Sequence, residues 1–167
     1  MPDSAIDPIN VLVVDASTSS RVMLRRIIES DPNLHVQAMA QDAYSAARQM
    51  KVALPDVILL DLEMPGMDGM TFLRKIMEQR PMPVVICSSL TEAGSVRSLE
   101  ALEAGAVDVI LKPAPTDEAS RQEATIRICD ALHAAAQSRG KGRRPQARVT
   151  PPPLIPTPKL TADEILP

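Results

Sequence analysis

Five short apolar runs in this chain alternate with segments whose apolar residues recur at helical spacing. The apolar runs are Ile9–Val14, His35–Ala40, Val57–Leu60, Pro83–Cys87 and Asp108–Leu111. The helical segments are Arg21–Ile28, Asp42–Lys51, Met70–Arg80, Ser95–Ala104 and Asp117–Ser138. Strict alternation of strands and helices predicts a parallel sheet with helices on both faces. Because crossovers between parallel strands are right-handed, the simplest arrangement is a flavodoxin-like, doubly wound five-stranded α/β fold with strand order 2-1-3-4-5.

The predicted core is almost entirely aliphatic, because the chain has one Tyr, one Phe and no Trp. The residues expected to face the sheet from the first helix are Val22, Met23, Leu24, Ile27 and Ile28. Those expected from the last helix are Ile126, Ile128, Cys129 and Leu132. No apolar run approaches the roughly 18–20 residues of a membrane span, so no membrane insertion is expected. Both cysteines lie in apolar segments, which favours a reducing, cytoplasmic setting over a disulfide framework.

The charge of the chain changes sign after Ser138. Residues 1–138 contain 12 Lys and Arg against 19 Asp and Glu, whereas residues 139–167 contain 6 against 2. An acidic body argues against nucleic-acid binding by that body. The basic segment is also rich in proline, a composition typical of an extended linker. We therefore predict an N-terminal extension over 1–8, one domain over 9–138, and a basic, Pro-rich linker or tail over 139–167.

Polar side chains stand at the ends of four predicted strands, at Asp15, Asp61, Ser88 and Lys112. Because the carboxyl ends of parallel strands meet at one edge of the sheet, strand order 2-1-3-4-5 places Asp15 beside Asp61. A carboxylate buried there is unfavourable unless a charge binds it, so a functional role explains Asp61 better than packing does. Two carboxylates suit Mg²⁺, and an aspartate can carry a phosphoryl group whose charge Lys112 and the metal would balance.

Simpler roles are open for the same residues. Asp61 could cap the loop that follows its strand, and Asp15 could cap the next helix through a side-chain hydrogen bond. Ser88 could satisfy a backbone group at the end of its strand. A flavin-binding protein of similar topology is poorly supported, because the segment after the first strand lacks a phosphate-cradling loop and aromatic residues are few.

Three motifs resemble the receiver domain of response regulators, over about residues 10–136. They are Val-Leu-Val-Val-Asp at 11–15, Leu-Asp-Leu-Glu-Met-Pro-Gly-Met-Asp-Gly at 60–69, and Lys-Pro at 112–113. More narrowly, residues 71–77, 80–91 and 101–108 resemble the receiver half of the chemotaxis protein-glutamate methylesterases, the CheB family. The segment 159–167 resembles the linker that precedes the esterase domain of that family.

The resemblance implies a function in a chemotaxis-type phosphorelay. It implies that Asp61 accepts a phosphoryl group from a sensor histidine kinase resembling CheA, that Ser88 is the switch hydroxyl, and that Lys112 pairs with the phosphoryl group. It also implies a Mg²⁺ site made by Asp15, Asp61 and the backbone carbonyl of Glu63. Phosphorylation would regulate a methylesterase domain that is not in this chain, and through it the chemoreceptors.

Two positions depart from the family pattern. Ala16 follows Asp15 where the family usually has a second acid, commonly the direct Mg²⁺ ligand, so we expect weaker metal binding. Val109 stands where many receivers carry an aromatic switch residue. The alternative function is therefore a degenerate receiver, a protein-interaction module that acts without phosphorylation. Esterase activity of the chain itself is not expected, because it has two histidines and no Gly-x-Ser-x-Gly motif for a catalytic triad.

Overall fold

The computed structural model describes residues 7–88, 92–112 and 118–140, of which residues 92–95 and 139–140 are described by their backbone alone. The strands are β1 (Ile9–Val14), β2 (Leu34–Ala40), β3 (Val57–Leu60), β4 (Val84–Ser88) and β5 (Asp108–Leu111). The helices are α1 (Thr18–Glu29), α2 (Ala43–Val52), α3 (Gly69–Gln79), α4 (Glu92–Ala104) and α5 (Glu118–Gly140). Residues 1–6 of the predicted N-terminal extension, Pro113, and residues 141–167 of the predicted linker lie outside the described residues, whereas residues 139–140 belong to α5. Within the described ranges, no helix is both long and apolar enough to cross a membrane.

The five strands form one parallel sheet in the order β2-β1-β3-β4-β5, which confirms the predicted fold. In the register of β1 and β3, Val14 pairs with Leu60. The backbone N–H of Asp61 extends this pairing by donating to the Val14 carbonyl oxygen at 2.9 Å. Asp15 and Asp61 therefore leave the sheet side by side.

The far side of the sheet is aligned to the same edge. In the register of β4 and β5, Ser88 pairs with Leu111. The backbone N–H of Lys112 donates to the Ser88 carbonyl oxygen at 2.9 Å. Ser88 and Lys112 therefore stand at the edge from which the two acids emerge, as the strand order predicts.

Alternate residues of the central strands point into two separate apolar layers. Leu12 and Val14 of β1 belong to a core shared with α2, α3 and α4, whereas Val11 and Val13 belong to a core shared with α1 and α5. β3 alternates between the same two layers. The central strands are consequently buried on both faces, as expected for a parallel sheet covered by helices.

Side-chain caps set the starts of three helices. Ser17 Oγ accepts from the Ser20 N–H at 3.2 Å, and α1 begins three residues before the predicted start at Arg21. Asp42 and Asp68 cap α2 and α3 in the same way. A short polar side chain at this position accepts one of the N–H groups that the first turn leaves free. The apolar spacing begins only after Arg21, beyond a polar first turn, because that is where the helix reaches the core.

Gly105 ends α4, as predicted. Its φ of +120° lies in a region that residues with a side chain rarely adopt. Its N–H donates to the Leu102 carbonyl oxygen at 3.1 Å, and the Ala106 N–H donates to the Ala101 carbonyl oxygen at 3.0 Å. These are the two bonds of a Schellman motif, which turns the chain from α4 into β5.

Two residues predicted to lie in the core face solvent instead. Val22 of α1 is 48% exposed and Ile126 of α5 is 62% exposed, so their predicted burial was wrong. Each precedes a buried residue, Leu24 or Ile128, by two positions. Because a helix turns by about 100° per residue, side chains two positions apart point to opposite sides. Val22 and Ile126 therefore form part of the outer surface.

The start of α3 lies against the loop that follows β3. The Gly69 N–H donates to the Leu62 carbonyl oxygen at 2.9 Å. A Cβ on Gly69 would press on the Asp61 carbonyl oxygen and lie 2.5 Å from Leu62 Cα. Both are backbone atoms, which cannot rotate aside as a side chain can. The absence of a side chain at Gly69 therefore allows α3 to approach the Asp61 loop this closely.

Replacing Gly69 by Ala should destabilise the fold more than replacing Gly66 by Ala. At Gly66 the φ of +80° strains an alanine by about 1–2 kcal/mol, but its Cβ would meet Tyr44 at an ordinary 3.5 Å. At Gly69 the clash is with backbone, for which we expect a loss of about 3 kcal/mol. Urea unfolding of both variants and the wild type measures the difference. A Gly69→Ala variant no less stable than Gly66→Ala would contradict the close approach of α3.

Candidate functional site

Three charged side chains meet at the carboxyl edge of the sheet. Asp15 follows β1 and is 1% exposed, Asp61 follows β3 and is 6% exposed, and Lys112 follows β5. The Lys112 Nζ lies 2.7 Å from Asp15 Oδ2 and 3.2 Å from Asp61 Oδ2. One ammonium thus serves two buried carboxylates, and the three groups together keep a net negative charge.

Each carboxylate divides its oxygens between the following loop and the lysine. Asp15 Oδ1 accepts from the Ser17 N–H at 2.9 Å, and Asp61 Oδ1 accepts from the Glu63 N–H at 3.1 Å. Both bonds close a turn directly after a strand. In each residue Oδ2 is the oxygen nearest to Lys112. Asp15 is therefore not the cap of α1, a position that Ser17 occupies, and each acid keeps one oxygen for the site.

Lys112 makes one ion pair and two hydrogen bonds through its ammonium. Among the described residues, Asp15 Oδ2 accepts no hydrogen bond of regular geometry, so its 2.7 Å contact with Lys112 is an ion pair. The Nζ donates hydrogen bonds to Asp61 Oδ2 at 3.2 Å and to Ser20 Oγ at 3.3 Å. A buried carboxylate oxygen with this spare capacity is suited to a further cation or donor.

Burial and charge pairing act in opposite directions on the ionisable groups. Burial raises the pKa of Asp61 above its ordinary value, against the lowering effects of the Glu63 N–H and of the Lys112 charge. Burial alone would lower the pKa of Lys112, but the two carboxylates outweigh it and hold that pKa above its ordinary value. The lysine is therefore firmly charged, and the charge on Asp61 would be eased by a further positive group.

The other two sequence-predicted residues contribute backbone groups to the site. Ser88 is the last residue of β4, is 5% exposed, and accepts the backbone N–H of Lys112. The side chain of Glu63 is exposed, and its N–H orients Asp61. Ser88 thus fixes the start of the segment that carries Lys112.

The acid pair fits a loosely held divalent cation. Within the described residues, no group of three or more Asp, Glu, His or Cys side chains could hold a metal ion. Ala16, next to Asp15, is exposed and offers no side-chain oxygen. Mg²⁺ nevertheless binds through as few as one or two carboxylates and keeps waters for a phosphate. The spare Oδ2 of Asp15 and the carboxylate of Asp61 are such ligands.

The sequence analysis missed two residues of this site, both in the first turns of α1. Ser20 accepts a hydrogen bond from Lys112. The guanidinium of Arg21 donates to the Asp15 carbonyl oxygen at 2.7 Å and to Thr18 Oγ1 at 3.2 Å. The one available signal was position, because the helix that follows the first strand of an open α/β sheet begins at the binding edge.

An open groove runs between α1 and α5 beside the site, with a volume of about 620 Å³. Its apolar lining comes from Val22, Met23 and Ile27 of α1, and charged residues from both helices, such as Arg26 and Arg121, border it. Ser20 lines the end of this α1–α5 groove and also contacts Lys112. The groove therefore connects directly with the charged cluster.

A second surface carries exposed apolar residues on the other side of the domain. Its members belong to α4, to β5 and to the turn between them. They are Val96, Leu99, Leu102, Val107 and Leu111, each at least 39% exposed. Because β5 is an edge strand, this α4–β5 surface lies at the border of the sheet.

Comparison with known proteins identifies the chain's relatives. The model of the response regulator receiver domain matches residues 11–122. The protein-glutamate methylesterase/protein-glutamine glutaminase 1 of Cereibacter sphaeroides is 57% identical over 157 residues, which make up 94% of this chain and 42% of that protein. The chain therefore spans less than half the length of the curated relatives it matches.

Solved structures agree with this assignment. The response regulator domain of Thermotoga maritima CheB superposes with a TM-score of 0.69 at 37% identity, covering 78% of this chain and 97% of that one. A chain from the complex of the CheA3 P1 domain with CheY6 from R. sphaeroides gives a TM-score of 0.64 at 34% identity, covering 77% and 99%. The chain belongs to the response regulator receiver domain family, and its receiver is of the CheB type.

Proposed function

We propose that Asp61 accepts a phosphoryl group from a sensor histidine kinase of the CheA kind. The observation that supports this proposal most strongly is that the buried carboxylates of Asp61 and Asp15 both contact the ammonium of Lys112. Phosphorylation then controls a methylesterase domain outside this chain, because the curated relatives are protein-glutamate methylesterases of which the chain covers less than half. The domain works in the cytoplasm, without nucleic acid and without entering a membrane.

The groups around Asp61 suit phosphoryl transfer. Its Oδ1 is held by the Glu63 N–H, which leaves Oδ2 as the nucleophile. This oxygen attacks phosphorus, the bond from phosphorus to the donor's histidine nitrogen breaks, and that nitrogen keeps the electron pair. Lys112, 3.2 Å from the nucleophile, lies close enough to neutralise the charge of the transferred group. Catalysis here consists of positioning and charge balance.

Receiver domains generally bind Mg²⁺ at the phosphorylation site. In this chain Asp15, Asp61 and the backbone carbonyl of Glu63 would hold it, and the ion would supply positive charge to the phosphoryl oxygens. Ala16 contributes no ligand, so the site binds Mg²⁺ more weakly than a site with a second acid beside Asp15.

The response to phosphorylation runs through Ser88 and Lys112. Both stand at the same edge of the sheet as Asp61. We infer that the Ser88 hydroxyl turns towards the phosphoryl group when it is present, and that Lys112 pairs with it. Their movement repacks the α4–β5 surface, whose exposed apolar residues suit contact with another domain. The methylesterase domain is the proposed occupant, because the relatives continue beyond the matched region.

The α1–α5 groove is the proposed docking site of the kinase domain that carries the phosphohistidine. It begins at Ser20, next to Lys112, so a helix seated in it would bring its histidine to the site. Its apolar lining provides contact area, and Arg26 favours an acidic partner, whereas Arg121 is paired with Glu118 of the same groove. A complex of a CheA3 P1 domain with CheY6 is known for a related receiver.

A degenerate receiver is the second candidate, and Ala16 is the observation that favours it. In that case the domain docks onto its partner without binding Mg²⁺ and without phosphorylation. Equal affinity for the partner with and without Mg²⁺ and a phosphodonor would support this function, and a phosphorylation-dependent change would exclude it.

Wild-type protein incubated with acetyl phosphate and Mg²⁺ should become phosphorylated, and Asp61→Ala should not. Ala16→Asp should lower the Mg²⁺ concentration for half-maximal labelling about tenfold, which corresponds to about 1.4 kcal/mol of binding free energy. The matched control is Glu63→Ala, which removes an exposed carboxylate but keeps the backbone carbonyl. Mass spectrometry over a Mg²⁺ titration measures the outcome. Labelling of Ala16→Asp alone would show that the chain is a degenerate receiver.

Val22→Glu should slow phosphoryl transfer from a phosphorylated kinase domain about tenfold, the effect of about 1.4 kcal/mol lost at the interface. Val22 is 48% exposed in the groove, so the fold should be unaffected. The control is Val52→Glu, because Val52 is the last residue of α2 and is 84% exposed. Labelling by acetyl phosphate should be equal in both variants. Equal transfer rates from the kinase domain to the two variants would reject the groove as the docking site.

A further inference from the structure

The Lys112 ammonium is held by groups from three different parts of the chain. It lies 2.7 Å from Asp15 Oδ2 after β1 and 3.2 Å from Asp61 Oδ2 after β3, and it donates to Ser20 Oγ in α1 at 3.3 Å. An ammonium has three N–H groups and no acceptor. Ser20 is the single uncharged partner among these three, and it approaches from the helix rather than from the sheet.

The position of the Ser20 hydroxyl is itself fixed. Ser20 is the third residue of α1, and its backbone N–H donates to Ser17 Oγ at 3.2 Å. The cap that starts the helix therefore also fixes the residue that reaches the lysine. Only 10% of the Lys112 side chain is exposed, so water has limited access to replace this partner.

We propose that Ser20 is a positioning residue for phosphoryl transfer, because its hydroxyl holds the Lys112 ammonium between the two carboxylates. The inference rests on the proposed function of Asp61 as the phosphoacceptor. Ser20 does not touch the reacting atoms and acts through Lys112.

The unequal distances to the two acids explain why a third partner matters. Lys112 is closer to Asp15 than to Asp61, and its contact with Asp15 is an ion pair without regular hydrogen-bond geometry. The hydrogen bonds to Asp61 and Ser20 fix the direction of the ammonium. Without Ser20, the ammonium is free to turn towards Asp15, and its charge moves away from the oxygen that accepts the phosphoryl group.

Ser20→Ala should reduce the initial rate of labelling by acetyl phosphate about three- to tenfold at saturating Mg²⁺, as expected for the net loss of one ordinary hydrogen bond whose effect reaches the reaction only through Lys112. Ser20→Thr retains the hydroxyl and should stay within about twofold of the wild type. The control is Ser45→Ala, which changes the third residue of α2, likewise bonded through its N–H to the cap of its helix. Alanine is the better helix former, so a slower rate in Ser20→Ala cannot come from a weakened α1.

A second measurement separates this proposal from the proposed function. The NMR signal of the Lys112 side-chain ammonium should shift in Ser20→Ala and stay unchanged in Ser45→Ala, with no phosphodonor present. An unchanged signal, a wild-type rate in Ser20→Ala, or an equal loss in Ser20→Thr would overturn the role of Ser20. Absence of labelling in the wild type would instead overturn the proposed function, and the signal alone would then decide whether Ser20 positions the lysine.

Discussion

The ammonium of Lys112 between two buried carboxylates is the interaction on which the site depends. Asp15 and Asp61 are almost fully removed from water, and two such charges close together repel each other strongly in a medium of low polarity. The lysine offsets this repulsion from the end of β5. Since the three residues follow three different strands, the cluster persists only while the strands keep their register. The strand order of the sheet therefore determines whether the charge cluster at its edge can form.

The sheet also separates the two surfaces that the proposed function requires. The α1–α5 groove lies on one face, with Ser20 connecting it to the charged cluster. The α4–β5 surface involves a helix of the opposite face and the edge strand. Under the proposed function, the kinase domain and the regulated domain bind to separate surfaces of the receiver, and Asp61 lies between these surfaces. This arrangement suits a domain that passes on a state and does not itself turn over a substrate.

Strand alternation made much of this predictable, because alternation fixes strand order and order fixes which strand ends are neighbours. Asp15, Asp61 and Lys112 could be placed together on that ground. The contact of Ser20 with Lys112 could not, because it spans 92 positions and depends on where the cap starts α1. Val22 was misplaced because apolar residues that are close in sequence do not show which side of a helix meets the sheet. Ser20, Arg21 and Val22 therefore all lie in the first turns of α1, and Ile126 of α5 was misplaced for the same reason as Val22.

The contact at Gly69 gives the site an asymmetry. There α3 packs directly against the backbone of the loop that carries Asp61, with no side chain between them. Loop and helix thus form a fixed anchor, which cannot separate without breaking the bond from Gly69 to Leu62. Under the proposed function, this anchor resists movement of the Asp61 loop towards α3, so a displacement driven by new charge at Asp61 is expected on the side of β4 and β5. The absence of a side chain at Gly69 thus ties the loop of the proposed phosphoacceptor to α3, and none of the other glycines in the described ranges allows so close a contact with a helix start.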